Sequence, residues 1–322
     1  MKAVQVAGDS LEWTDFDEPV LQDNEVLIKV AATAINRADL MQRRGFYPPP
    51  PGASPIMGLE CAGEVIATSE SATRYCVGDK VCALLAGGGY AELAAVDEGS
   101  VLPIPEGLTP VQAAALPEVF ATAWLNIFME AGLKPGEKVM IHAGASGVGT
   151  AAIQLCRAFG SECFVTVGSA DKLDACLRLG ATAGSNRHDG PFAEAARAFA
   201  GETGIDVVLD PVGAGYLAEN IQMLGIGGRL VLIGLMGGAK TEIDLAQLMI
   251  KRARVIGSTL RPRTLGQKAA VMSELEELVW PKLAAGEIKP IIEQCFPIEE
   301  VSAAHDLVAS DTTIGKVILE VD

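Results

Sequence analysis

Lys138-Val139-Met140-Ile141-His142-Ala143-Gly144-Ala145-Ser146-Gly147-Val148-Gly149 is the stretch on which the fold turns. Its first half is a short apolar run with the composition of a buried strand. Three glycines follow at once, and the chain then reads as a helix from about Val148 to Phe159. Strand, glycine loop and helix start in that order expose backbone N–H groups at the helix N-terminus, where an anion is stabilised. The spacing Gly144-x-x-Gly147-x-Gly149 departs from the G-x-G-x-x-G fingerprint. A glycine loop alone can be a tight turn, but in this strand–loop–helix context it reads as a dinucleotide site built on Ala145, Ser146, Gly147 and Val148.

Outward from this stretch the chain keeps alternating. A strand is expected at Cys163–Val167, a helix at Asp171–Leu179, and strands at Asp206–Asp210, Arg229–Gly234 and Arg254–Thr259. Near-continuous Val/Ile/Leu strands alternating with helices imply a parallel sheet covered on both faces. Upstream, Gln112–Met129 is Ala-rich and reads as one helix. Before residue 118 the texture differs, with short β-branched runs broken by Gly, Pro and Asp, such as Val26–Val30, Gly63–Ala67 and Lys80–Leu85. These read as strands of a β-rich or barrel-like unit. Tyr47-Pro48-Pro49-Pro50-Pro51-Gly52 can be neither helix nor central strand and is expected as a stiff loop. The tail from Arg263 holds a Glu/Leu-rich helix and ends in the strand Lys316–Val321, which is expected to return to the first unit. The expected architecture is α/β: a Rossmann-type, doubly wound parallel sheet (119–260) inserted in a β-rich domain (1–118 and 261–322).

Composition narrows the partners. The 322 residues are 49% hydrophobic and 20% charged, with 25 Lys+Arg against 41 Asp+Glu and a net charge of -16. That charge repels phosphate backbones and anionic lipid, so nucleic acid and membrane are poor partners. No apolar run reaches the length of a spanning helix, and Met1–Gln5 runs straight into a strand without the features of a signal peptide. A cytoplasmic protein is the expectation. The seven cysteines form no Cys-x-x-Cys pair and none sits near a His at zinc-ligand spacing, so buried thiols are expected.

The end of the second parallel strand discriminates between coenzymes. An NAD site usually carries an acid there to accept from the ribose 2′-hydroxyl. Here the strand runs out into Val167-Gly168-Ser169-Ala170-Asp171-Lys172. Gly168 and Ser169 stand in place of the acid, and a hydroxyl with the Lys172 ammonium can hold a 2′-phosphate, which favours NADPH. Ser169 can equally cap the next helix, Lys172 can be a solvated charge, and Asp171 can be the ribose acid displaced. Arg187 is a candidate second phosphate contact or a plain surface residue.

With Asn36–Gln42, Gly58–Val65, Gly78–Val81, Gly88–Glu92 and His142–Leu155 in view, the chain resembles the medium-chain dehydrogenase/reductase superfamily and its quinone oxidoreductase branch. Asn36–Ser54 and Ile233–Gly238 are especially similar to the p53-inducible quinone oxidoreductase type, and the branch includes zeta-crystallin-like proteins. The resemblance covers nearly the whole chain. It implies a GroES-like β-domain with the inserted Rossmann domain, a cleft active site, NADPH and a homodimer. It also implies Thr122 near the nicotinamide end, backbone of Gly234 and Leu235 for the carboxamide, and Lys316 reaching the cleft. Zinc alcohol dehydrogenases of the superfamily carry Cys where Asn36 stands and His where Leu59 stands. Neither residue here supplies thiolate or imidazole, so no metal is expected.

A quinone accepts electrons readily, so reduction needs proximity to the nicotinamide more than acid catalysis. The sequence offers no clear proton donor: His142 reads as packed, His188 lies in a polar loop, and His305 sits on an amphipathic segment. Tyr47 matches the family's cleft tyrosine and can stack on a quinone or orient a carbonyl, or simply anchor the loop. Asn36 can bond substrate, water or ribose, or cap the loop. Three functions are carried: an NADPH-dependent quinone reductase, an enone or 2-alkenal reductase on the same fold, and a non-catalytic NADPH-binding protein.

Overall fold

The structure is a computed structural model, and it describes residues 1–8 and 10–321. The chain divides into two compact units, Met1–Ala121 with Leu260–Asp322, and Thr122–Thr259.

In the first unit, β1 (Lys2–Ala7) and β2 (Ser10–Asp15) form an antiparallel hairpin. The main sheet contains β3 (Glu25–Ala34), β4 (Glu60–Thr68), β5 (Lys80–Leu84), β6 (Leu93–Asp97) and β7 (Val101–Pro103). Helices α1 (Arg37–Arg43), α2 (Pro110–Ala113) and α3 (Pro117–Trp124) belong to this stretch, and the unit boundary falls within α3. The run expected as one helix over Gln112–Met129 is therefore three pieces: α2, α3 and a π-helical turn at Leu125–Glu130. Pro117 is the reason for the break between α2 and α3. It lacks the N–H an uninterrupted helix needs there, and is tolerated because it opens α3.

The second unit holds β8 (Lys138–His142), α4 (Gly147–Ala158), β9 (Glu162–Val167), α5 (Ala170–Leu179), β10 (Ala183–Asn186) and α6 (Ala193–Ala200). These are followed by β11 (Ile205–Asp210), α7 (Leu217–Met223), β12 (Leu224–Leu232), α8 (Leu245–Lys251) and β13 (Arg254–Gly257). Its six strands are parallel in the order β10-β9-β8-β11-β12-β13. The winding reverses between β8 and β11, so the carboxyl ends of these strands flank the crevice in which open α/β sheets take ligands. The expected strand at Arg229 begins earlier, at Leu224. A slip in the β11–β12 register, from Ile205↔Leu224 to Val207↔Arg229, absorbs the glycine-rich residues 225–228.

The chain then returns to the first unit through α9 (Leu265–Leu278), α10 (Trp280–Ala284), β14 (Ile292–Pro297), α11 (Val301–Ala309) and β15 (Lys316–Glu320). β15 pairs antiparallel with β3, placing Ile318 opposite Ala34 and Leu319 opposite Thr33. This pairing ties the two ends of the sequence into one sheet, ordered β14-β15-β3-β4-β5-β7 with β6 also on β3. Apolar side chains of β3, β4, β5, β15 and α11 fill the core of this unit. Cys61, Cys82, Cys156, Cys163 and Cys176 are buried, whereas Cys76 and Cys295 are exposed. No helix among the described residues is long and apolar enough to cross a membrane.

Candidate functional site

The carboxyl edge of the parallel sheet gathers most of the sequence-predicted coenzyme residues. β8 ends at His142, and Ala143 takes a left-handed φ of 54° that turns the chain into the glycine loop. A Cβ on Gly149 would lie 2.4 Å from the Gly144 carbonyl oxygen, and one on Gly144 would lie 2.8 Å from Val165. Both glycines are thus required by close packing of loop, strand and helix. Ser146 is the N-cap of α4, its Oγ accepting from the Gly149 amide at 3.1 Å. The first-turn amides of α4, beside Ala145, Ser146, Gly147 and Val148, lie at the helix end where the dipole favours negative charge.

The next strand end is more specific. Ser169 caps α5, accepting from the Lys172 amide at 3.3 Å, so the capping alternative holds. Its O–H remains able to donate to a ligand. Arg187 follows β10, and its guanidinium lies 3.3 Å from where a Cβ on Gly168 would stand. A side chain at Gly168 would crowd the guanidinium at the end of β9. Asp171 is exposed in the first turn of α5, where an acid favours the helix dipole. Arg187, Lys172 and Ser169 together are a donor set suited to a 2′-phosphate.

Across the switch point, the β12 exit is clamped to the β11 exit. Met236 N–H donates to Pro211 O at 3.1 Å and Gly237 N–H to Val212 O at 2.7 Å. A Cβ on Gly234 would meet the Pro211 carbonyl at 2.8 Å, so only glycine fits between them, and Leu235 beside it is exposed. His142 is buried in a network behind this edge. It contacts Thr166 Oγ1 at 2.9 Å and Asn220 Oδ1 at 2.7 Å, while Asn220 Nδ2 donates to Asp210 at 3.0 Å. Burial lowers its pKa and keeps it neutral, so His142 is packed and not a proton donor. Thr122 lies in the last turn of α3, its carbonyl accepting from Asn126 Nδ2 at 2.7 Å.

In the first unit Asn36 is the N-cap of α1, in a capping box with Asp39. Its side chain does more than cap. Nδ2 donates to Glu60 Oε1 at 2.8 Å, and Oδ1 accepts from Lys316 Nζ at 2.7 Å. Lys316 also lies 2.7 Å from Glu60 Oε1 and donates to the Ile35 carbonyl at 2.8 Å. Glu60 is 0% exposed and Lys316 4%, so this is a fully buried ion pair. The second Glu60 oxygen accepts the Glu118 amide at 2.8 Å, at the start of α3. Asp39 is likewise buried and accepts from Asn36 N–H, Gly58 N–H and Tyr90 O–H. Burial pushes its carboxyl up to about 6. His305, behind Tyr90, is held neutral by burial, at about 4.

Tyr47 is half-buried, and its position is set by Arg261. That side chain is 3% exposed and donates to Tyr47 O at 3.1 Å, Gln42 Oε1 at 2.8 Å and Ala86 O at 2.8 Å, stapling three segments together. Its guanidinium carbon lies 5.3 Å from the Tyr47 ring centroid, a cation–π contact. Burial and the nearby Glu118 raise the phenol pKa, so Tyr47 is a hydroxyl donor at neutral pH.

Glu60, Glu118, Asp39, Arg261 and Lys268 were not singled out from sequence. The usable signal was a lone acid in an apolar run: Glu118 follows Ala113-Ala114-Ala115-Leu116-Pro117, and Glu60 opens the buried strand β4. Their convergence requires contacts across most of the chain.

A family profile described as "Alcohol dehydrogenase GroES-like domain" matches residues 22–106, and one described as "Zinc-binding dehydrogenase" matches 147–277. The human (Homo sapiens) quinone oxidoreductase is 31% identical over 311 residues, covering 95% of this chain and 92% of that one. The quinone oxidoreductase of Thermus thermophilus, solved also in complex with NADPH, superposes with a TM-score of 0.83 at 34% identity, covering 99% and 100% of the two chains. The CurK enoyl reductase superposes with a TM-score of 0.86 at 27% identity, covering 100% and 99%. The zinc implied by one description finds no donor set. Among the described residues no group of three or more His, Cys, Asp or Glu side chains is placed to hold a metal. Asn36 and Leu59 are poor zinc donors, and both Glu60 oxygens are already engaged.

Proposed function

The chain belongs to the medium-chain dehydrogenase/reductase superfamily of oxidoreductases, and on that premise we propose that it is an NADPH-dependent quinone oxidoreductase working without a metal. The observation that carries this reading is Arg187 lying over Gly168 at the end of β9, beside Ser169 and Lys172. Arg187 and Ser169 stand where an NAD site places an acid, with Lys172 three residues on, and their donors suit the charge of a 2′-phosphate. NADPH appears in the description of the Thermus thermophilus complex, in agreement.

In this reading the α4 N-terminus with Ala145, Ser146, Gly147 and Val148 binds the pyrophosphate. Backbone of Gly234 and Leu235 holds the carboxamide, and Thr122 stands at the nicotinamide end. When bound, the coenzyme supplies a hydride equivalent. Tyr47 offers its ring to a planar acceptor and its O–H to a carbonyl oxygen. Asn36, oriented by Glu60 and Lys316, is the second proposed contact to the acceptor. In this arrangement Lys316 acts through Asn36 and Glu60 rather than by touching the coenzyme. No Lewis acid is required, because a quinone is already electron-poor.

The test is NADPH and NADH oxidation against ortho- and para-quinones, enones and aldehydes. Turnover with quinones and a strong NADPH preference are expected. A protein that turns over no quinone would refute the reading. A second reading, enone or 2-alkenal reduction, is favoured by the Tyr47 hydroxyl and by the likeness to an enoyl reductase. Tyr47→Phe is expected to lower enone turnover more than quinone turnover, which separates the two.

We also propose a homodimer joined through the second unit. β13 is an edge strand, and Met249 and Ile250 on the neighbouring α8 are 78% and 69% exposed. An open edge beside large apolar side chains is the kind of surface a second copy covers. Light scattering on the wild type and on Ile250→Lys tests this, with a dimer reduced to a monomer expected.

A further inference from the structure

The acids of the first unit's cluster differ in one respect. Both oxygens of Glu60 and both of Asp39 are engaged by donors from the protein. Glu118 engages only its backbone amide, and no described residue donates a hydrogen bond to its carboxyl, which is partly exposed. Its charge is also near enough to act on Tyr47, the residue proposed to receive the acceptor.

The geometry points to Glu118 as the catalytic acid that hands a proton to the reduced acceptor. This rests on the quinone or enone reading above. With a quinone, a hydride equivalent reaches the acceptor, its carbonyl C=O becomes a C–O⁻, and the coenzyme is oxidised. The Glu118 O–H bond breaks as the new O–H bond of the hydroquinone forms, leaving a Glu118 carboxylate that solvent reprotonates. With an enone, the same proton quenches the enolate formed by hydride addition at the β-carbon. In each case one coenzyme is oxidised, one acceptor gains two electrons and two hydrogens, and one proton is drawn from water.

The surroundings suit an acid that cycles near neutral pH. Burial and the neighbouring charge of Glu60 on β4 push the carboxyl up to about 8. Lys316 on β15 and Lys268 on α9 oppose that rise, Asp39 on α1 adds to it, and Arg261 and Tyr47 lie close by. An isolated buried glutamate would hold its proton too firmly, and a solvated one would have lost it. The two lysines place this one between those extremes. Glu118→Gln keeps the amide bond to Glu60, since that bond is made by the backbone.

Two measurements test the assignment. In the apoprotein, glutamate carboxyl carbons labelled with ¹³C are titrated by NMR, with Glu118→Gln identifying the signal. A midpoint near about 8 is expected; a midpoint in the ordinary carboxylate range would overturn the proposal. In turnover, Glu118→Gln is expected to lower kcat by about 10²-fold and to lose the alkaline limb of the pH profile, with Glu118→Asp recovering part of the rate and NADPH affinity unchanged. Wild-type rates and an unaltered pH profile in Glu118→Gln would overturn it. A wild type that titrates as expected yet turns over neither quinones nor enones would instead sink the functional reading beneath it.

Discussion

Each unit buries a polar network, and the two differ in how their charge is balanced. In the second unit Asp210 accepts from the Val212 and Gly213 amides at 2.6 and 3.1 Å and from Asn220, which bridges to His142 and so to Thr166. One carboxylate meets enough donors, and neutral groups carry the bonding onward. The result is a scaffold that fixes the exits of β8, β9 and β11. In the first unit Asp39, Glu60 and Glu118 crowd around one buried ammonium, Lys316, with Lys268 near Glu118. Burial, with the neighbouring charge of Glu60, raises the carboxyl of Glu118 to about 8, and burial raises that of Asp39 to about 6. A satisfied network stiffens a sheet edge; an acid-rich one holds a carboxyl whose proton is the one proposed above for chemistry.

Changing either network should expose this contrast. Lys316→Met leaves Glu60 buried without its partner and is expected to cost about 3–5 kcal/mol in chemical denaturation, the largest effect here. Adding Glu60→Gln to it should recover much of the loss. Asn220→Ala strands His142 and Asp210 in the other network and is expected to cost about 1–3 kcal/mol for an unsatisfied buried group. Its kcat profile with pH should keep the wild-type shape, because that network holds no working proton. Ser169→Ala removes a helix cap worth about 1 kcal/mol, measurable by thermal unfolding. The smallest effect is a tilt with pH. Glu118 carries a folded-state pKa of about 8 against an ordinary 4.5, so the folded protein holds that proton more tightly in between. Wild-type stability should therefore fall, relative to Glu118→Gln, as pH rises through this window. A pH-independent difference between the two proteins would contradict it.

The same contrast explains what could be read from the sequence. The coenzyme edge is built of local pieces, each a strand end and the few residues after it. Gly144, Gly149, Ser146 and Ser169 announce themselves by spacing and by capping chemistry, and α4 was expected within a residue of its observed limits. Lys316 and Asn36 are 280 residues apart, and Glu60 joins them only because β15 pairs with β3 and β3 with β4. No periodicity records such a meeting. Asn36 and Lys316 were named through resemblance, while Glu118 passed as an ordinary residue of an Ala-rich helix. In sequence Arg187 reads as either a phosphate contact or a surface charge, because its position over Gly168 depends on β10 lying beside β9.

Coenzyme discrimination tests the central claim most directly. Dissociation constants for NADPH and NADH are measured by fluorescence titration on wild type, Arg187→Ala and Lys172→Ala. The wild type is expected to prefer NADPH, Arg187→Ala to lose about tenfold to a hundredfold of NADPH affinity with little change for NADH, and Lys172→Ala to lose less. Equal affinity for both coenzymes in the wild type, or an NADPH affinity indifferent to Arg187, would contradict it.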